Sequence, residues 1–259
     1  METSTDRVGA PRSLFGAIHR AAVRAEWAAA QATGLDIRVF DDGEILLGAA
    51  PDFPSTMFNR GLGFTEAPDR VGEAVAFFRR HGVPGEIVLD PADVPSGVAP
   101  RLRLEAYLAD PAAIPTAPVP GLAIRVIETS EAATWMDIVV EGYAPAPEVA
   151  AIWRSIAARA ADDGQRRLLG ELDGRLVAAS SIFISGDRGW LSWATVLPAA
   201  RGLGIQRAMI EARARVAADA GCTTIAAWAL ASAHSSRNLA LAGMPLVGER
   251  VSVSAVDFT

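Results

Sequence analysis

The chain has 259 residues, enough for one large domain or two small ones, and its 51% hydrophobic against 21% charged residues describes a globular sequence rather than a disordered one. A formal net charge of −6 excludes a general nucleic-acid binder, which needs a basic surface to displace counterions from phosphates, so a small-molecule or protein partner is expected. One cysteine, three scattered histidines, a polar start at 1–11 and no apolar run near the roughly 18 residues of a membrane span predict a cytoplasmic protein with no disulfide, no metal and no membrane partner.

In chain order, residues 36–48 read as an apolar extended run, 69–80 as a helix closed by His81 and Gly82, 86–89 as a strand and 102–108 as a short helix. Between 109 and 121 the residues Asp110, Pro111, Pro115, Pro118 and Pro120 crowd together and forbid both helix continuation and sheet pairing. This predicts a linker, with domains at 1–120 and 121–259. After it come a strand at 122–128, a helix from Glu131 capped by Ser130, and a second helix at 148–161. Three extended runs follow at 166–172, 175–184 and 190–197, and Asp173 with Gly174 forms a two-residue hairpin signal between the first two. They make an antiparallel meander.

Beyond Pro198 a helix is predicted from Arg201 to about Ala220, because Ile205, Met209, Ala212 and Val216 recur at three- and four-residue spacing. Glu211 lies four residues from both Arg207 and Arg215, which gives that helix a solvated face, and Gly221 ends it. A buried strand at 223–230, a short helix at 235–242 and a strand region at 247–258 complete the chain. The N-terminal half echoes the later part of this order, which points to a duplicated fold. The expected class is α/β of the α+β kind, a mixed and mostly antiparallel sheet flanked by helices.

The segment Val196, Leu197, Pro198, Ala199, Ala200, Arg201, Gly202, Leu203, Gly204, Ile205, Gln206 passes from a strand through a glycine turn into a helix. Its physics is anion capture: a helix start leaves about four amides without internal partners and carries partial positive charge, so phosphate oxygens can be held by main chain alone. Two other phosphate loops are excluded. A P-loop needs lysine and a hydroxyl after its last glycine, where Ile205 and Gln206 stand, and a dinucleotide fingerprint needs a third glycine where Arg207 stands.

Here the sequence resembles the GNAT superfamily of acetyltransferases, through Val196, Pro198, Arg201, Gly202 and Gly204 before an amphipathic helix. A second match runs through Ser235, Ser236, Arg237, Asn238, Leu239, Ala240, Leu241, Ala242, Gly243 and Met244, similar to the family's closing helix with Met244 in place of the usual phenylalanine. The resemblance covers about 122–258 and implies two tandem GNAT-like halves, of which 1–120 is a degenerate copy and 121–259 binds the coenzyme. It implies acetyl-CoA or another acyl-CoA as co-substrate, and direct acyl transfer to an amine of a small molecule or peptide, in a bacterial enzyme.

By the same resemblance, amides near Val196 and Leu197 meet the coenzyme and polarise the thioester carbonyl. Those of Gly202, Leu203, Gly204, Ile205 and Gln206, beside Arg201, hold its pyrophosphate, and Asn238 lies near the pantetheine arm. The sequence departs from the family at Gln206, where a small residue is usual, and at Leu239, where many members carry a tyrosine that protonates the departing thiolate. Two alternatives therefore stay open: a catalytically silent acyl-CoA-binding or regulatory protein, or the same fold with another reaction, O-acylation or decarboxylation.

Other residues have a plainer reading beside a functional one. Glu171 and Asp187 are candidate bases for an amine proton, against the usual solvated carboxylate at a strand end. His234 precedes the closing helix, where a surface loop histidine is the commoner case. Trp190, Trp193 and Trp228 suit a pocket or simply the core. Cys222 has no neighbouring base in sequence and reads as packing.

Overall fold

A computed structural model describes residues 6–53, 55–159 and 164–258. By compactness they form two units, Met1–Ala106 with Trp228–Ala231 and Val247–Thr259, and Tyr107–Ala227 with Ser232–Leu246. The elements, in chain order, are α1 (Asp6–Ala32), β1 (Arg38–Asp41), β2 (Leu46–Ala49), β3 (Arg60–Leu62), α2 (Val71–His81), β4 (Glu86–Leu89), β5 (Leu102–Ala109), β6 (Leu122–Val126), α3 (Ala132–Tyr143), α4 (Pro147–Arg159), β7 (Gln165–Leu172), β8 (Arg175–Ser185), β9 (Arg188–Val196), α5 (Ile205–Asp219), β10 (Thr224–Leu230), α6 (His234–Leu241) and β11 (Leu246–Ser254).

In the first unit β1, β2 and β3 pair antiparallel in turn, β3 runs parallel to β4, and β11 closes on β4 antiparallel. The expected run at 36–48 is thus a hairpin, β1 with β2. A core of Ile45, Leu47, Phe64, Phe78, Ile87, Leu89, Val251 and Val253 lies under α2. The 27-residue α1 goes unread in the sequence. Its stripe, Phe15, Ile18, Ala22, Val23, Trp27 and Ala30, is buried at helical spacing, but alanines make the periodicity faint until Phe15 and Trp27 anchor it. The expected helix at 102–108 is instead strand β5. Leu102, Leu104, Ala106 and Leu108 alternate with Arg103, Glu105 and Tyr107, and this period of two outweighs the helix-forming residue types.

In the second unit the strand order is β10, β9, β8, β7, β6. The meander of β6 to β9 is antiparallel, and Asp173 and Gly174, at φ 50 and 80, make the expected two-residue turn. The α3 helix starts one residue later than expected and Ser130 does not cap it. A single turn at Thr129–Glu131 precedes it, with a capping box between Glu128 and Glu131. The expected end of α4 at Ala161 lies outside the described residues. Helix α5 begins at Ile205, not Arg201, because Gly202 and Gly204 take φ of 83 and 82, outside the right-handed helix. On the other side of the sheet, Trp135, Met136, Ile138 and Val139 of α3 pack on Leu169 and Ala179.

At Gly85 the first unit's packing has no room for a side chain, since an added Cβ meets the ring of Phe78, which is 1% exposed. Gly85→Ala is therefore expected to cost about 1–3 kcal/mol, the usual cost of overpacking. Chemical denaturation checks this, and an unchanged midpoint would show that Phe78 steps aside freely.

Candidate active site

The site is built where β9 loses its neighbour. Parallel pairing of β9 with β10 spans only Arg188, Gly189 and Trp190 against Thr224, Ile225 and Ala226. From Leu191 on, the strand is paired with β8 alone. There its register is broken: Ala179 faces Thr195 while Ser181 faces Ser192, so Trp193 and Ala194 together stand opposite Ser180. This is a β-bulge, and Trp193 carries its strain at φ 42.

The bulge decides which main-chain groups face outward. The Leu197 amide donates to Val177 O at 2.8 Å, so alternation along the strand turns the Val196 amide and carbonyl to the unpaired edge. The Val196 carbonyl accepts from Arg201 Nε at 3.0 Å, and Arg201 Nη2 donates to Gly142 O at 3.3 Å. Arg201 thus ties β9 and the end of α3 to the glycine turn. Its guanidinium is committed to carbonyls.

Beside this edge lies a cavity of about 870 Å³, lined among others by Tyr143, Val196, Gly204, Gln206, His234 and Asn238. Among the described residues its charged lining is all basic, Arg201, Arg207 and Arg237, with no aspartate or glutamate, on a chain whose net charge is −6. At its mouth the glycine turn opens into α5. Arg207 and Ala208 donate back to Gly204 O at 3.0 and 3.2 Å, whereas among the described residues the amides of 202–206 have no hydrogen-bond partner in the protein. Orphan amides, a helix start and an arginine-lined wall fit a diphosphate. The apolar strip of Ala194, Val196, Ile205 and Leu241 fits an uncharged arm.

The expected residues separate into two groups. Val196, Arg201, Gly202, Gly204, Ile205, Gln206 and Asn238 line the one cavity, and Leu203, 52% exposed, lies in the turn and lines a smaller neighbouring cavity. The two residues expected to do the chemistry do not fit it. The Leu197 amide is spent on β8. Glu171 sits on β7 beside the hairpin turn, opposite Leu176 and Ala123, with β8 between it and β9, and it does not line the cavity. Among the other candidates, Cys222 is buried and its thiol is pushed up by burial and by Asp187, in keeping with packing. Trp190 is core. His234 does line the cavity.

Sequence reading missed Tyr143, the last residue of α3. Its hydroxyl donates to Ala194 O at 3.1 Å and accepts from Ala194 N at 3.2 Å. It therefore covers the bulge's own outward-facing pair. Nearly half of the side chain is open, yet the hydroxyl end is tucked against β9, and burial lifts its pKa above the usual phenol value. Trp153 and Trp193 hold the ring edge-on, at 6.1 and 6.4 Å. The neighbouring Gly142 is what lets α3 come this close, because a Cβ there would run into the Thr195 side chain. The sequence signal was a Gly-Tyr pair ending a helix, but nothing local says that a strand 50 residues on will meet it.

Comparison with known proteins bears on the fold. Residues 132–244 match the family model described as the acetyltransferase (GNAT) family, so that stretch is a GNAT acetyltransferase domain. A GCN5-related N-acetyltransferase from Kribbella flavida is similar in structure at TM-score 0.59 and 16% identity, with 90% of this chain and 94% of that one covered. A second from Sphaerobacter thermophilus has TM-score 0.59 and 19% identity over 83% and 82% of the two chains. A tandem GNAT protein from the clavulanic acid biosynthesis pathway has TM-score 0.55 and 14% identity over 82% and 78%. The fold is thus that of GNAT acetyltransferases. Among curated proteins, none matches the sequence. Among the described residues, no helix is long and apolar enough to cross a membrane, and no cluster of His, Cys, Asp and Glu is placed to hold a metal ion.

Two substitutions test the geometry. A Cβ at Gly204 would meet only Val119 at 3.6 Å, so the constraint there is the left-handed backbone rather than space. Gly204→Ala should cost about 1–2 kcal/mol of stability and Gly204→Asn less, since asparagine tolerates that region. Equal losses in thermal melts would contradict this. Gly142→Ala should cost about 1–3 kcal/mol and push Tyr143 off Ala194, read as a lower pKa for a hydroxyl returned to water.

Proposed function

We propose that the chain is an acyl-CoA-dependent N-acyltransferase, which moves an acetyl or other acyl group directly to an amine of a small molecule or peptide. The observation that carries this reading is the row of unpartnered amides at 202–206 opening onto the unpaired edge of β9. Those amides, with Arg207 and Arg237 beside them, would hold the coenzyme's diphosphate; the β9 edge, with Asn238 across from it, would take the pantetheine arm. The acyl thioester supplies an activated carbonyl when bound. The Val196 amide, not that of Leu197, is the main-chain donor for that carbonyl oxygen.

Tyr143 takes the part that Leu239 cannot, since Leu239 is 6% exposed and packed away from the cavity. Its proton goes to the departing sulfur. Because burial raises its pKa, the phenol stays protonated through neutral and mildly alkaline pH, so the donor is lost only above the ordinary phenol range. No carboxylate among the described residues lines the cavity, so the amine enters as its free base, and the proton it sheds after attack passes through solvent to the Tyr143 phenolate and restores the phenol. The degenerate character of residues 1–120 and the cytoplasmic setting belong to the same proposal. The buried Leu239 favours one rival, a silent acyl-CoA-binding protein, and product mass separates amine transfer from O-acylation or decarboxylation.

Thermal melts with coenzyme A are the direct test. A ligand bound only by the native state at a hundredfold excess over Kd adds about 2.7 kcal/mol, so a clear rise in Tm is expected and its absence at millimolar ligand removes the proposal. Thiol release from acetyl-CoA with a panel of amines should rise with pH toward the amine's own pKa. Tyr143→Phe should lower it about a hundredfold with coenzyme binding kept, as for loss of a general acid. Glu171→Gln should change it less than about tenfold. Binding without any turnover would favour the silent protein.

A further inference from the structure

Under the cavity lies an arginine that the scheme above leaves unused. Arg213 on α5 is 2% exposed, and no carboxylate among the described residues pairs with it. Its Nε donates to Met209 O at 3.1 Å within its own helix, and its Nη1 to Ser181 O at 3.4 Å and Ser192 O at 3.3 Å. Ser181 and Ser192 are the cross-strand pair that flanks the bulge, and their hydroxyls meet at 2.9 Å. A bulge interrupts the ladder and leaves main-chain groups seeking partners, and here the guanidinium supplies them from below.

A buried cation without a counter-charge is a costly filler, for which an apolar side chain of the same length would ordinarily serve better. Only a planar fork spans two strands and a helix at once. Among the described residues the titratable group set against Arg213 is Tyr143, on α3; from β8 and β9 it is met by the Ser181 and Ser192 carbonyls. Each feels the other: the guanidinium pulls the phenol's pKa back down against the rise from burial, and its own is pushed down to about 10 by burial.

We infer that Arg213 is a positioning residue for acyl transfer: by joining the Ser181 and Ser192 carbonyls it holds the β9 bulge, and so sets the Val196 amide and the Tyr143 hydroxyl at the same end of the cavity. This rests on the acyl-transfer reading given above. Arg213 touches no substrate. It acts through the strand it braces and, by its charge, on the phenol beside that strand.

Arg213→Met and Arg213→Lys test this, each first checked for native circular dichroism. The chain has two tyrosines, Tyr107 and Tyr143, so phenolate absorbance minus that of Tyr143→Phe isolates the Tyr143 titration. Its midpoint is expected to rise in Arg213→Met and to stay in Arg213→Lys, which keeps the charge. The infrared carbonyl band of bound acetyl-CoA is expected below that of the free thioester in the unaltered protein. It should lose at least half of that lowering in both variants, with acetyl-CoA Kd within threefold. A folded Arg213→Met with unchanged band and unchanged Tyr143 midpoint overturns the inference. If Arg213→Met does not fold, an unchanged band in Arg213→Lys does so. Failure of the unaltered protein to bind acetyl-CoA would instead remove the acyl-transfer reading, while the Tyr143 midpoint in Arg213→Met still decides whether the two residues are coupled.

Discussion

The site depends on one irregularity, the extra residue that β9 carries between Ser192 and Thr195. A regular ladder would commit every second amide of that strand to β8 and leave the others to a neighbour on the far side. Because β10 pairs with β9 only as far as Trp190, the far-side groups from Leu191 on have no strand to meet. The bulge then sorts them. Ala194 turns to Tyr143, the Val196 carbonyl to Arg201, and the Val196 amide to the cavity. Strain at Trp193 is held in place by three aromatic rings against its side chain and by a buried guanidinium on the preceding residue's carbonyl.

The other end of the cavity bears on a different problem, how an acidic chain would present a site for the diphosphate proposed above. Its solution is local. Positive φ at Gly202 and Gly204 shapes the turn, its amides have no partner among the described residues, and the start of α5 adds its dipole. Among the described residues three arginines line the wall and no carboxylate does. Net charge governs solubility and encounter, whereas a ligand meets only the potential of the cleft it enters.

Most elements of the second unit were legible because their signals are local. The Asp173 and Gly174 turn, the meander it joins, and the glycine turn before α5 each follow from neighbouring residues. Two segments of the chain were not legible, for opposite reasons: in 102–108 helix-forming residue types mask a period of two, and in α1 the period of 3.6 is itself faint. Leu102, Leu104, Ala106 and Leu108 recur at the period of two that marks a strand, and in α1 alanines carry much of the buried stripe.

By itself the sequence determined the glycine turn and its orphan amides, since a strand, two glycines and an amphipathic helix in succession leave such amides wherever they occur. It also determined that the closing helix carries leucine, not tyrosine, at position 239. Only the tertiary structure decided the chemical end. Which amide of Val196 and Leu197 faces outward depends on the register of β9 against β8. The meeting of Tyr143 with Ala194, and of Arg213 with Ser181 and Ser192, joins residues that lie tens of positions apart in the chain. Such contacts come from helices packed on a sheet, and no periodicity in one dimension encodes which strand a given helix end will touch.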